Sequence, residues 1–187
     1  MKNLLGLLFS VLLIFSALSA YAYETVILHK PDRNWIAYSY EKNEETGDVT
    51  AKFIPKYDNK FDWNEMLIIR SFKEAKKAND TADSFIGTVL AETTRKHTRI
   101  ERNPVKNDEQ EAIVTWCGYG GTLHPVCGVA RVVVGVESII SMEYLLKDTN
   151  NFEPRKQAYV KLFEEAVVYN SYYRWDKTMN KALCVEL

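Results

Sequence analysis

Three early segments of the chain alternate apolar residues with small or polar ones, which is the pattern of half-buried β-strands. Residues 35–40 and 49–54 are the first two, and the polar stretch between them contains Gly47, so they predict a hairpin. Pro55 lacks the N–H that a ladder needs and is expected to end the second strand. Residues 66–72 predict a third strand. Its faces are expected to carry Leu67, Ile69 and Ser71 on one side, and Met66, Ile68, Arg70 and Phe72 on the other.

A helical period replaces the strand pattern over residues 79–98. Apolar side chains recur there at helical spacing: Phe85, Ile86, Val89 and Leu90. Asp80 or Thr81 is expected to cap the start of this helix. Three cations are expected in its last turn, where they suit the negative end of the helix dipole: Arg95, Lys96 and His97.

The second half of the chain also runs from strands to a helix. Residues 111–116, 126–134 and 138–146 are rich in Val and Ile and predict three strands, with Gly135 at the last turn. Pro154 suits the first turn of a final helix. The buried stripe of that helix is expected to be Tyr159, Leu162, Phe163, Ala166 and Val167.

The predicted order of elements is therefore β-β-β-α-β-β-β-α. Short connections favour antiparallel neighbours. We expect an α+β fold, in which a single twisted, mainly antiparallel sheet of about six strands packs against two helices.

The N-terminus has the three parts of an export signal. Lys2 supplies the positive charge, residues 4–18 form an uncharged apolar run, and Ala20-Tyr21-Ala22 offers a cleavage site. We expect residues 1–22 to be a signal peptide and residues 23–187 to form a single domain, secreted or periplasmic. The apolar run is shorter than the ~20 residues of a spanning helix, which argues against a membrane anchor. No second long apolar run follows it, so no membrane span is expected after cleavage.

Composition and spacing argue against several kinds of site. The chain has 24 basic and 25 acidic residues, a formal net charge of −1. A nearly neutral chain has no strong positive field for nucleic acid. Four glutamates show no spacing that pairs two carboxylates: Glu65, Glu92, Glu101 and Glu137. The sequence therefore assigns no catalytic residue, no metal ligand and no cofactor.

Two cysteines, Cys117 and Cys127, bracket a segment rich in residues that let a chain reverse: Gly118, Gly120, Gly121 and Pro125. In an oxidising compartment this arrangement predicts a disulfide. One alternative is a zinc site that adds His124 and Cys184 to the two cysteines. Another is a Cys117 nucleophile with His97 or His124 as its base. If the first two cysteines pair, Cys184 is left over and could link two chains into a dimer.

An aromatic cluster follows the last predicted helix: Tyr169, Tyr172, Tyr173 and Trp175. Aromatic side chains are mostly buried, so the cluster could simply cover an edge of the core. The alternative is a contact patch for a protein or a small ligand.

Several short motifs resemble, in their order, a family of small exported bacterial proteins of unknown function. They are Phe53-Ile54-Pro55, Trp63-Asn64-Glu65-Met66, Trp116-Cys117-Gly118, and Cys127-Gly128-Val129-Ala130-Arg131 with Gly135. In that family a strand ending in Pro precedes a W-x-E-M segment, and two cysteines bracket a loop before the last strands. The resemblance spans roughly residues 35–169 and implies export but no catalytic residues. The order of elements is also similar to the Mog1/PsbP-like sandwich, which concerns fold and not function.

These features favour an exported, non-enzymatic binding or interaction protein whose ligand the sequence does not identify. The family resemblance adds that such a protein is a candidate substrate of a secretion system. Two alternatives remain open. One is a hydrolase whose residues converge only in the fold, and the other is a structural component of the envelope.

The export hypothesis predicts the mature N-terminus. Protein recovered from an extracytoplasmic fraction should begin at Tyr23 or within a few residues of it, because Ala20 and Ala22 define the cleavage site. N-terminal peptide sequencing measures this. A soluble cytoplasmic protein that retains Met1 contradicts the hypothesis.

Overall fold

The computed structural model describes residues 23–29, 34–59, 61–78, 80–93, 96–119, 124–171 and 182–187. The expected signal peptide lies outside these residues. The strands are β1 (Tyr23–His29), β2 (Trp35–Lys42), β3 (Val49–Pro55), β4 (Glu65–Phe72), β5 (Lys96–Asn107), β6 (Glu111–Tyr119), β7 (Pro125–Val134), β8 (Ile139–Leu146), β9 (Val167–Ser171) and β10 (Ala182–Glu186). The helices are α1 (Lys73–Lys77), α2 (Ala82–Thr93) and α3 (Phe152–Glu164), and a 3-10 helix at Thr149–Asn151 precedes α3.

Two antiparallel sheets organise these elements, which confirms the predicted α+β class. The larger sheet has seven strands in the order β2-β3-β4-β8-β7-β6-β5, and the smaller has the order β10-β1-β9. The prediction of one sheet with about six strands and two helices is thus corrected, for the described residues, to two sheets and three α-helices. Within the same residues, no helix is both long and apolar enough to cross a membrane.

The larger sheet is covered on both faces. Helix α3 and the smaller sheet pack on one face, where they meet side chains such as Ile69 and Met142. Helix α2 packs on the other face through a stripe that includes Phe85 and Val89. Every residue of β8 is therefore buried, although neighbouring residues point to opposite faces.

The six predicted strands are present, with small differences in extent. β6 continues to Tyr119 and β7 begins at Pro125, so both cysteines lie inside the ladder. Gly135 lies at the β7–β8 turn as predicted, and its N–H donates to the Ser138 carbonyl (2.9 Å). A Cβ at Gly135 would lie 2.9 Å from that carbonyl oxygen and would also collide with the Glu24 carboxylate. Glycine is thus required there by close packing.

Four strands of the structure were not predicted from the sequence patterns: β1, β5, β9 and β10. β5 forms an edge of the larger sheet, and its sequence KHTRIERNPVKN lacks apolar alternation. Charged residues on an edge strand discourage pairing with other chains. The other three strands form the smaller sheet, which pairs residues as distant in sequence as Ile27 and Cys184. Such pairing depends on tertiary contacts and leaves little local signal.

Helix α2 is shorter than the predicted residues 79–98. It ends at Thr93, and Lys96 and His97 belong to β5, where they pair with β6. Arg95 lies outside the described residues. The expectation of cations in the last helical turn is therefore wrong for Lys96 and His97, because strand pairing prevails over a weak local helix preference.

The start of α2 agrees with the prediction. Thr81 Oγ1 accepts the N–H of Ser84 (3.2 Å), and Ser84 Oγ accepts the N–H of Thr81 (3.1 Å). This reciprocal arrangement satisfies backbone donors that the first helical turn leaves unpaired.

Helix α3 carries the predicted buried stripe. Tyr159, Leu162 and Phe163 are buried within the helix, and Ala166 is buried just beyond it. Val167 begins β9, which corrects its expected place on the helix. Pro154 lies in the first helical turn, as predicted for a residue without an N–H.

The phase of α3 can be tested by charge substitution. Leu162→Asp and Phe163→Asp should each lower the free energy of unfolding by more than about 3 kcal/mol, because each buries a carboxylate in an apolar layer. Lys161→Asp should have a small effect, since the Lys161 side chain is exposed. Chemical denaturation of the three variants measures these changes. A loss for Lys161→Asp as large as the other two contradicts the assigned phase.

Candidate functional site

Four strands of the larger sheet begin or end at the same end of the sheet. β3 and β8 end there, and β4 and β7 begin there. Glu65 on β4 and Cys127 on β7 both lie opposite Leu146 in the ladder. The loop between β3 and β4, residues 56–64, therefore lies at the same end of the sheet as the disulfide and His124.

The β3–β4 loop is held in shape by hydrogen bonds to Asp58. Its Oδ2 atom accepts the backbone N–H groups of Asn64 (2.8 Å) and Glu65 (3.2 Å). The Asp58 N–H donates to the Pro55 carbonyl (2.9 Å). Asp side chains fix turns by binding nearby backbone donors in this way. The loop is thus organised by local contacts.

Two aromatic side chains project from this loop into solvent. Tyr57 is 90% exposed and Phe61 is 97% exposed. The Nζ atom of Lys56 lies 5.5 Å from the centre of the Tyr57 ring, within the range of a cation–π contact. Large aromatic groups are usually buried, and their exposure on an ordered loop suggests an interaction site.

A surface pocket of about 400 Å³ lies beside Tyr57. Its lining comes from the loop and from the adjoining ends of β2, β3 and β4: Asn34, Pro55, Lys56, Tyr57, Asp58, Asn64 and Glu65. The volume is within the range of small-molecule sites. The polar side chains include amides, carboxylates and one ammonium group, so both donors and acceptors line the pocket.

Glu65 is the buried polar group of the pocket, with 2% of its surface exposed. Tyr144 donates its hydroxyl to Glu65 Oε2 (3.0 Å), and Arg155 Nη1 donates to Oε1 (2.5 Å). The Tyr144 ring stacks on Tyr159 of α3, with ring centres 3.5 Å apart. Residues from β4, β8 and α3 therefore fix the position of one carboxylate.

Burial raises the pKa of Tyr144 well above its ordinary value, and the nearby Glu65 carboxylate raises this pKa further. The phenol therefore stays protonated at physiological pH and acts as a hydrogen-bond donor. Both carboxylate oxygens of Glu65 have a donor in Tyr144 or Arg155. This arrangement fixes the orientation of the Glu65 carboxylate.

The structure contains the predicted disulfide between Cys117 and Cys127, with an S–S distance of 2.03 Å. The two residues are direct cross-strand partners, and their Cα atoms are 4.0 Å apart. Gly128 follows Cys127, and the Trp116 indole packs against its Cα. A Cβ at Gly128 would lie 2.9 Å from the indole ring. The disulfide joins two paired strands, and Gly118 and Pro125, which were expected in the loop between the cysteines, belong to β6 and β7.

Disulfide formation affects both alternative roles of the cysteines. Neither sulfur can act as a thiolate nucleophile or a zinc ligand while the bond is intact. Among the described residues, no group of three or more His, Cys, Asp and Glu side chains is placed to hold a metal.

The predicted histidines do not complete a catalytic set in the described part of the chain. His124 is exposed and lies near Asp62. The hydrogen bond from Lys147 and the charge of Lys147 are the main causes that lower the pKa of Asp62, and the charge of His124 adds to them. His97 lies on β5 opposite Gly118, and its side chain is outside the described part.

The aromatic contact patch predicted near the C-terminus is described only at Tyr169, which lies on β9 and is half exposed. Tyr172, Tyr173 and Trp175 lie outside the described residues. Cys184 lies on β10 opposite Ile27, but its side chain is also outside them. The patch and the Cys184-linked dimer stay predictions.

Sequence reasoning missed the aromatic loop. Residues 57–63 read YDNKFDW, which places three aromatic residues in a segment without strand or helix periodicity. Aromatic residues in a polar loop have no core face to occupy, and this was the available signal. It gave no indication that Asp58 would order the loop or that Arg155 would reach Glu65.

No protein-family model and no curated protein matches this sequence. A search of solved structures finds similarity to the solution structure of cyanobacterial PsbP (CyanoP) from Synechocystis sp. PCC 6803. That structure is 9% identical in sequence, and the match covers 70% of this chain and 92% of that chain with a TM-score of 0.38.

The disulfide predicts the number of titratable thiols. Denatured, unreduced protein from its own compartment should show one thiol per chain, from Cys184, or none if Cys184 links two chains. Peptide mapping should recover the Cys117–Cys127 pair, and its removal should cost about 2–3 kcal/mol of stability. Three thiols per chain would contradict the disulfide and would favour the zinc-site or the nucleophile hypothesis instead.

The charge pairing at Glu65 can be tested by removing its partner. Arg155→Met should lower the free energy of unfolding by about 2–3 kcal/mol, because it leaves a buried carboxylate without its cation. Adding Glu65→Gln to Arg155→Met should recover part of that loss. As a matched control, Arg99→Met removes an exposed cation that also contacts acidic partners and should be nearly neutral. Equal effects of Arg155→Met and Arg99→Met in denaturant titrations would contradict the pairing.

Proposed function

We propose that this protein is an exported, non-enzymatic binding protein that holds its ligand against the β3–β4 loop and the adjoining pocket. The observation that carries the proposal is the exposure of Tyr57 and Phe61 on a loop ordered by Asp58. Keeping two aromatic side chains in water forgoes the stabilisation that their burial would bring. Rigid aromatic groups repay that loss in a complex, where they supply contact area at low entropic cost.

The polar groups at the pocket support binding over hydrolysis. Glu65 has its two carboxylate oxygens engaged by Tyr144 and Arg155. A buried carboxylate whose two oxygens already accept hydrogen bonds is poorly placed to take a proton from a substrate. Cys117 is oxidised and so has no nucleophilic thiolate. We therefore rank a hydrolase below a binding protein.

Export and domain organisation are part of the proposal. The signal-like residues 1–22 support export of one domain, residues 23–187. The disulfide is compatible with an oxidising compartment, where such bonds persist. A role as a secretion-system substrate rests on the family resemblance alone.

Site-specific photo-crosslinking tests the proposed binding site. A photoreactive phenylalanine analogue at Phe61 should give a covalent adduct in cells that naturally produce the protein, because the side chain would face the ligand. The matched control is the same analogue at Tyr40, an exposed aromatic position on the edge strand β2. Mass spectrometry of the recovered protein measures adducts at each position.

The outcomes separate the candidate functions. An adduct at position 61 and none at position 40 supports the proposal. Equal labelling at both positions, or none at position 61, contradicts it. Hydrolysis of a nitrophenyl ester or glycoside that is lost in Glu65→Gln, with the fold intact, would instead favour a hydrolase.

A further inference from the structure

We infer that the pocket beside the β3–β4 loop binds a saccharide, an inference that rests on the proposed binding function. The charges around the pocket are the first reason. Lys147 pairs with Asp62 at 3.0 Å, and Arg155 pairs with the buried Glu65. Ionic groups that already have partners offer little net attraction to a strongly charged ligand. The lining itself carries both signs of charge, with Lys56 beside Asp58 and Glu65, so these described groups favour a neutral ligand.

The aromatic rings also have cations near them already. Lys147 Nζ lies 4.5 Å from the centre of the Trp63 ring, and Lys56 Nζ lies 5.5 Å from that of Tyr57. A cationic ligand would have to compete with these lysines for the ring faces. The same contacts place ammonium donors close to the rings, where they can reach hydroxyl groups of a bound molecule.

The polar lining suits hydroxyl groups, each of which both donates and accepts hydrogen bonds. The amides of Asn34 and Asn64 can donate and accept, and Asp58 supplies an acceptor at the pocket wall. Asp58 is held in one position by the backbone N–H groups of Asn64 and Glu65, so an acceptor on the pocket wall is pre-organised. Pre-organised polar groups lower the entropic cost of binding a polyhydroxylated molecule.

The aromatic groups suit the remaining surface of a sugar. A pyranose ring has faces made of C–H groups, which pack on aromatic rings while its hydroxyl groups point outward. Tyr57 lines the pocket and Phe61 lies four residues further along the loop. Both are almost fully exposed, so a sugar can reach them without moving the protein core. A pocket of about 400 Å³ is large enough for a small ligand of this class.

Saccharides of two chemical kinds are the direct probes. The full-length mature protein is titrated with cellotriose, which is a neutral hexose oligomer, and with chitotriose, which is N-acetylated. Trilysine and triglutamate serve as charged comparisons. Isothermal titration and saturation-transfer NMR should show one-to-one binding of at least one saccharide at about millimolar Kd or tighter, and weaker binding of both peptides. The preferred saccharide distinguishes a glycan of plain hexoses from an N-acetylated, cell-wall-type glycan.

Variants at Tyr57 link binding to the proposed surface. Tyr57→Ala should weaken saccharide binding about tenfold, whereas Tyr57→Phe, which retains the ring, should bind nearly as well as the wild type. Tyr40→Ala is the matched control and should leave binding unchanged. The midpoint of thermal unfolding should stay the same in all three variants, because both side chains are exposed.

Three outcomes overturn the inference. One is that neither saccharide binds at about 10 mM, well above the expected Kd. Another is that a charged peptide binds more tightly than both saccharides. The third is that Tyr57→Ala and Tyr40→Ala have the same effect. If any of these occurs while the Phe61 crosslink persists, the saccharide assignment fails and the binding function stands. Loss of that crosslink contradicts both the saccharide assignment and the proposed binding function.

Discussion

Burial of both faces of the larger sheet is the constraint on which the rest of this structure depends. The central strands lie between α2 on one side and α3 with the smaller sheet on the other. A charged side chain on these strands has no route to water and must be neutralised where it stands. Arg70 and Glu143 do so across β4 and β8, with Arg70 Nη2 3.2 Å from the carboxylate and Ser141 donating to the same group. These charged groups of the core thus form a matched set that connects neighbouring strands.

The same constraint connects the layers. Arg131 on β7 lies 2.8 Å from the Glu111 carboxylate, and it donates to the carbonyls of Phe163 and Ala166 at the end of α3. A cation there also suits the negative end of the helix dipole. Glu65 is neutralised by Arg155 near the other end of α3. The candidate pocket therefore has one rigid wall, because the charge on that wall is part of the core's own pairing.

Two further features make this end of the sheet rigid. The disulfide between Cys117 and Cys127 joins β6 and β7 near the start of β7. Asp58 orders the β3–β4 loop through backbone donors. A binding surface built on such elements loses little conformational entropy when a ligand binds. This explains how Tyr57 and Phe61 can remain exposed without the loop collapsing onto the core.

Local patterns in the sequence determined the α+β class, six of the strands, the cap at Thr81 and the stripe of α3, because each depends on neighbours within a few residues. They also indicated the disulfide, since residue types and spacing favour a reversal there. Only the tertiary structure decided the smaller sheet, whose strands pair across more than half the chain, and the edge strand β5, whose charged sequence resembles a helix end at Lys96 and His97. The candidate site belongs to the second group. Glu65, Tyr144 and Arg155 are far apart in sequence, and no local pattern predicts their contact. Their meeting depends on the register of β4 against β8 and on the packing of α3, which are properties of the whole fold.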